Sequence, residues 1–169
     1  MDCFQPQRRA ETLRHAAKGI LNPTEEDLSP ERYARLYRLG HSTLPEATNL
    51  SSPWWSDYQA VQALRRFAET NSVSLTISGR IGNAQAPEFG PADLLYTIQL
   101  ALPVRTLRGL GRPVMSGGRI FAPPREITQT YVPGLRDWTT KGLSKTGRKV
   151  IAAWQRQPLP KGAITLYGD

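Results

Sequence analysis

Few side chains in this sequence are equipped for chemistry, and their pattern excludes more than it selects. Cys3 has no second thiol for a disulfide and no companions for a metal site. It also stands at a chain end, whereas a nucleophilic thiol wants a structured, electropositive surrounding. His15 and His41 are the only two histidines, too few for the usual zinc-ligand spacings, so no metal is expected. Gly109, Gly111, Gly117 and Gly118 in "GLGRPVMSGG" lack both the Walker spacing with its Lys and the strand-to-helix spacing of a dinucleotide fingerprint, which leaves a turn. The most distinctive residues are Trp54 and Trp55, adjacent behind Ser51-Ser52-Pro53. Trp buries much apolar area yet needs a partner for its N–H, so the pair should wedge two elements together or wall a pocket.

Charge adds a second signal. Residues 1–100 hold 10 Lys/Arg against 11 Asp/Glu, while residues 101–169 hold 12 against 3. The basic second half favours an acidic partner, whether nucleic acid, an acidic protein or nucleotide phosphates; a solvated basic face is the plainer alternative. Length and an apolar content of 39% suit one domain with a sizeable core. No run approaches the ~20 apolar residues of a membrane span, and the N-terminus lacks the apolar stretch of a signal peptide. The expectation is a chain that works in aqueous solution, in the cytoplasm or, as an exported effector, in the cytoplasm of a target cell.

The elements that must position these residues follow from periodicity. Leu13, Ala16, Ala17, Ile20 and Leu21 recur at helical spacing and predict a helix over about 6–21, stopped by Asn22-Pro23. Ser29 and Pro30 suggest the start of a short second helix. "LYRLGH" fits a strand, and 42–53 reads as loop. From Asp57, Val61, Leu64, Phe67 and Ala68 form one stripe of an amphipathic helix. A period of two then predicts strands in "VSLTISGR" and from Leu94 to Val104, with "GRIFAPP", "EITQTYVPG" and "AITLYG" also strand-like and "SKTGRKVIAAWQRQ" helical. Strands dominate the centre and helices flank it, an α+β pattern with a mostly antiparallel, split sheet. The expected organisation is an N-terminal helical extension over 1–29 and an α+β domain over 30–169.

The order "LYRLGH", loop, "NLSSPWWSDYQAVQALRRFA", then distant strands with "PPREITQTYVPG" resembles ADP-ribosyltransferase-type bacterial toxins and effectors, over roughly residues 33–135. In that family a first strand carries an Arg or His that anchors NAD, a second carries a Ser/Thr motif followed by a helix, and a late strand supplies a Glu. The resemblance implies that Tyr37, Arg38 and Gly40 in "LYRLG" line the NAD site, with Arg38 as the anchor and His41 as the alternative anchor. It implies that Ser51 or Ser52 supports the Glu or the nicotinamide ribose, and that Trp54 or Trp55 walls the nicotinamide pocket. Glu126 would be the catalytic carboxylate, bonding the ribose 2′-hydroxyl and stabilising the cation that forms as the nicotinamide bond breaks. Ser-Ser-Pro stands where the family has Ser-Thr-Ser, and Pro124 stands where it usually has a Glu or Gln two residues before the catalytic Glu.

The resemblance thus implies NAD as substrate and an acidic macromolecular acceptor, with an immunity or chaperone protein as a further partner. Two other functions fit the residues. One is a nucleic-acid-targeting module using Tyr131, Trp138 and Trp154 among Arg136, Lys141, Lys145, Arg148 and Lys149. The other is a non-enzymatic interaction protein anchored by Trp54 and Trp55.

Overall fold

The computed structural model describes residues 8–31, 35–82, 90–116, 118–121 and 127–160. Its most regular element is the helix that the apolar stripe predicts. Helix α3 (Tyr58–Asn71) is preceded by α1 (Arg9–Ala17) and α2 (Glu46–Leu50). Asp57 caps α3 by accepting a hydrogen bond from the Ala60 N–H at 2.8 Å, and Ser72 closes it in the left-handed conformation. Ala60, Ala63, Leu64 and Ala68 form its buried face.

That face covers one half of a split antiparallel sheet. Strands β1 (Ile20–Leu28), β2 (Arg35–Gly40), β3 (Trp54–Trp55), β4 (Leu94–Leu100) and β5 (Val104–Gly111) are followed by a small hairpin of β6 (Val114–Ser116) and β7 (Arg119–Phe121). Then come β8 (Thr128–Tyr131), the pair β9 (Arg136–Asp137) and β10 (Gly142–Leu143), helix α5 (Lys145–Val150) and β11 (Ile151–Pro158). The first half-sheet has the order β1-β5-β8-β3 and the second β11-β4-β2. Tyr37 and Ser56 join them, each donating its N–H to the other's carbonyl, at 2.8 and 2.7 Å. The order across the joint is therefore β1-β5-β8-β3-β2-β4-β11.

Three apolar clusters hold these layers. Leu36, Trp55, Tyr96, Ile98 and Val132 unite the two half-sheets on their shared face, with Leu28 and Val104 at one end. Leu39, Ala60, Leu64, Leu75 and Ile127 bind the second half-sheet to α3 and to α4 (Leu75–Gly82). Ala16, Ile20, Leu107 and Tyr131, with Leu13 and Trp54, pack α1 against the first half-sheet. The protein is α+β, as its element pattern predicts. No helix among the described residues is long and apolar enough to cross a membrane.

Several local expectations fail for physical reasons. The helix expected over 6–21 ends at Ala17, and 20–28 is a strand hydrogen-bonded along β5, so the stretch 1–29 is not wholly helical. Gly19 makes the corner, because a Cβ there would lie 2.5 Å from the Trp54 ring. Asn22-Pro23 then marks a bulge in β1 rather than a helix stop, with Asn22 at φ +46°. Pro30 and Glu31 lie in a turn where the short helix was expected. The alternation in "VSLTISGR" belongs to α4, where Ser74 Oγ accepts from the Ile77 N–H and Gly79 fits against Leu39. Ile77, which strand pairing would have used, is exposed. The single strand expected from Leu94 to Val104 is β4, a turn and β5, and the expected 14-residue helix near the C-terminus is one short helix and the strand β11. The loop 42–53 contains α2. "AITLYG" lies outside the described residues.

Candidate functional site

Arg38 lies in the middle of β2, opposite Tyr96 of β4. Its guanidinium carbon is 5.8 Å from the centre of the Trp55 ring, a cation–π distance. The residue is half-buried; its Nε and Nη1 are closed off from solvent and have no hydrogen-bond partner among the described residues. No described carboxylate forms an ion pair with it. Burial pushes the Arg38 pKa down to about 10, and the neighbouring Arg136 adds to the fall. Donors closed off from water without an acceptor are costly, and an anion would relieve that cost.

The surroundings are positioned by polar contacts that are already satisfied. Arg136 of β9 donates from Nε to Ser51 Oγ at 3.1 Å and from Nη2 to the Thr48 carbonyl at 3.0 Å, while its guanidinium lies over the Trp138 ring at 5.1 Å. His41 is buried, and its Nδ1 accepts from the Ala92 N–H at 2.9 Å. Burial lowers its pKa first, and the charges of Arg38 and Arg80 lower it further. With Nδ1 committed to Ala92, the imidazole is a neutral member of the fold rather than the anchor. Asn49 fixes this corner: its Oδ1 accepts from the His41 N–H at 2.9 Å and its Nδ2 donates to the His41 carbonyl at 3.0 Å. Gly40 is needed because a Cβ there would lie 2.5 Å from Tyr96 Cδ2 and 2.9 Å from Asn49 Oδ1.

A second arginine, this one buried, shows the opposite arrangement. Arg108 of β5 pairs through Nη2 with Asp57 and through Nη1 with Glu26 at 3.0 Å, and donates from Nε to Thr130 Oγ1 at 3.2 Å. Asp57 is also the α3 cap, so one carboxylate ties the helix start to β5.

Of the expected site residues, Arg38, Gly40 and Trp55 come together on the face shared by the half-sheets. Tyr37 projects the other way, its ring 6.4 Å from that of Tyr58, beside a depression that Arg38, Leu39, Ser56, Val61 and Leu64 also line. Ser51 and Ser52 precede β3 and serve the local fold: Ser51 Oγ donates to the Thr48 carbonyl and accepts from Arg136, and Ser52 Oγ accepts from the Trp54 N–H. Trp55 is 2% exposed and donates Nε1–H to the Ser52 carbonyl at 2.6 Å. Trp54 turns to the opposite face, packed edge-on against Tyr131 at 4.9 Å, with His15 hydrogen-bonded to the Tyr131 hydroxyl. Both tryptophans are therefore wedges, and they form no exposed patch that could anchor a partner. Glu126 lies outside the described residues.

Sequence reasoning missed Ser56. This buried serine ends β3, joins the half-sheets through Tyr37 and directly precedes the α3 cap. Asp57 as an N-cap was the available signal, since it fixes the helix start and leaves Ser56, not Ser51 or Ser52, as the serine between strand and helix. The aromatic residues of the basic half also separate: Tyr131 is buried, Trp138 is 62% exposed beside Arg136, and Trp154 sits on β11 with its ring 6.3 Å from that of Tyr96. Among the described residues no group of His, Cys, Asp and Glu could hold a metal ion. No family model matches the chain, no curated protein matches its sequence and no solved structure matches its fold.

Proposed function

We propose that this chain is an ADP-ribosyltransferase-like enzyme that takes NAD as substrate, with Arg38 holding an anionic part of the dinucleotide. The observation that carries the reading is the guanidinium of half-buried Arg38 on β2, whose Nε and Nη1 are closed off from solvent with no partner among the described residues. A phosphate oxygen would supply both the missing acceptor and the missing charge, and Arg presents its donors in a fixed fork suited to that group. The strand order adds support. The Arg-bearing strand, the strand that runs into the capped helix and the late strand that follows Glu126 in sequence are the neighbours β2, β3 and β8. In this reading Ser56 takes the serine position, and Trp55 is the aromatic wall beneath the guanidinium.

The reaction is cleavage of the C–N glycosidic bond between nicotinamide and ribose. Nicotinamide leaves with the bonding pair, the ribose carbon becomes oxocarbenium-like, and an acceptor nucleophile or water bonds to that carbon and gives up its proton. Glu126 as a carboxylate would stabilise the developing positive charge. The excess of basic residues in the second half suits an acidic macromolecule as acceptor.

Labelled NAD incubated with the protein and a cell lysate tests this reading by nicotinamide release and label transfer. Wild type should release nicotinamide. Glu126→Gln should lower the rate by a factor on the order of 100 or more with NAD binding little changed. Full activity in the folded variant would remove Glu126 from the mechanism, and no release by wild type would contradict the enzymatic reading.

A further inference from the structure

The two outer strands of the split sheet are finished differently. β1 carries Pro23, a bulge and the acids Glu25, Glu26 and Asp27, all devices that discourage another strand from pairing with an open edge. β11 has one register irregularity, at Ala152, and neither a Pro nor an acid within Ala153–Gln157. Ala152 to Pro158 are exposed, no described strand lies beyond β11, and its one charge, Arg156, is held by Glu46 at 3.2 Å. Pro158 guards only the last position.

Beside this open edge is a concentration of positive charge. Helix α5 runs directly into β11 and carries Lys145, Arg148 and Lys149, all exposed, with Lys141 exposed just before it. None of the four forms an ion pair with a described carboxylate; Arg148 donates to the Leu143 carbonyl instead. The α5 start is fixed by Ser144, whose Oγ accepts from the Gly147 N–H at 2.8 Å, and Gly147 is packed against the Leu135 carbonyl, so the cations stand on a held element.

We propose that β11 is a docking edge for an acidic, extended polypeptide segment of a partner protein. The segment adds a strand to β11 through main-chain hydrogen bonds, and its carboxylates meet Lys145, Arg148 and Lys149. The edge supplies affinity that depends little on sequence, and the basic turn selects acidic strands and speeds their encounter. The chain's net charge of +8 disfavours a second copy of itself as the occupant. This inference stands apart from the Arg38 site and does not depend on NAD chemistry.

The test uses the full chain and a fluorescein-labelled ten-residue peptide that alternates Glu with Val and Thr, read by anisotropy. The peptide should bind. Methylating alternate backbone amides, which removes strand hydrogen bonds without altering charge, should weaken binding by about tenfold or more. Charge reversal at Lys145, Arg148 and Lys149 should weaken it by a similar factor, with unchanged circular dichroism confirming the fold. Equal binding of the methylated peptide would overturn strand addition, and tighter binding of a single-stranded oligonucleotide of matched charge would overturn a polypeptide partner. Concentration-dependent dimers abolished by Ala153→Pro would assign the edge to a second copy and overturn the proposal, as would no binding of the acidic peptide.

Discussion

Arg38 and Arg108 face the same side of the split sheet and are treated in opposite ways. Trp55 and Arg108 are both register partners of Thr130, so they point to one side, and Arg38 lies against Trp55. Arg108 is surrounded by Asp57, Glu26 and Thr130 and has its charge answered within the fold. Arg38 has an aromatic face, a cationic neighbour in Arg136 and no acid paired with it among the described residues. One arginine is a structural pin; the other is a cost that the rest of the fold must carry. The difference teaches that burial alone does not single out a charge as a functional candidate, whereas the lack of a compensating partner does.

The largest expected effect breaks the pin. Arg108→Met leaves Asp57 buried without its cation, and removal of one partner of a buried pair costs about 3–5 kcal/mol. Denaturant unfolding should show a loss in that range. A loss below 1 kcal/mol would mean that the network is solvated and contributes little.

Arg38→Met should act in the reverse direction, keeping an apolar stem while removing a charge with no counter-ion. Folding lowers its pKa to about 10, so below pH 10 the protonated group opposes folding in full. The penalty is relieved as pH rises above 10, because the folded state releases its proton first. At neutral pH this amounts to roughly 3 kcal/mol as an upper bound. The variant should therefore be as stable as wild type or more stable at pH 7, with any advantage shrinking above pH 10. A loss of 2 kcal/mol or more would show that Arg38 is a second pin.

The smallest effect separates the two duties of Asp57. Asn caps a helix as well as Asp does but carries no charge, while Ala does neither. Asp57→Ala should thus be less stable than Asp57→Asn by about 1 kcal/mol. Equal unfolding midpoints would mean that the α3 cap contributes nothing beyond the ion pair.

Much of this arrangement is legible in the sequence, and the limits have physical causes. The apolar stripe after Asp57 gives α3, and the alternation in "LYRLGH" and "LLYTIQL" gives β2 and β4, because each buries one face and presents one period. Arg38 stands out through its place on a strand of otherwise core-forming residues. β11 was hidden because an edge strand exposed along its length leaves no alternation, and α4 because Val73, Leu75 and Ile77 mimic a strand while Ser74 and Ser78 supply helix-specific hydrogen bonds. The role of Ser51 depended on the long-range partners Arg136 and Lys141, which no local pattern reveals.

The central claim is that the charge of Arg38 is reserved for an anion, and thermal unfolding with NAD tests it most directly. A ligand present at ten times its Kd stabilises by about 1.4 kcal/mol, which raises the Tm of a chain of this size by about 3–6 °C. Wild type should show that rise with NAD, and Arg38→Met, although at least as stable on its own, should show almost none. An equal rise in both proteins, or no rise in wild type at millimolar NAD, would contradict the account.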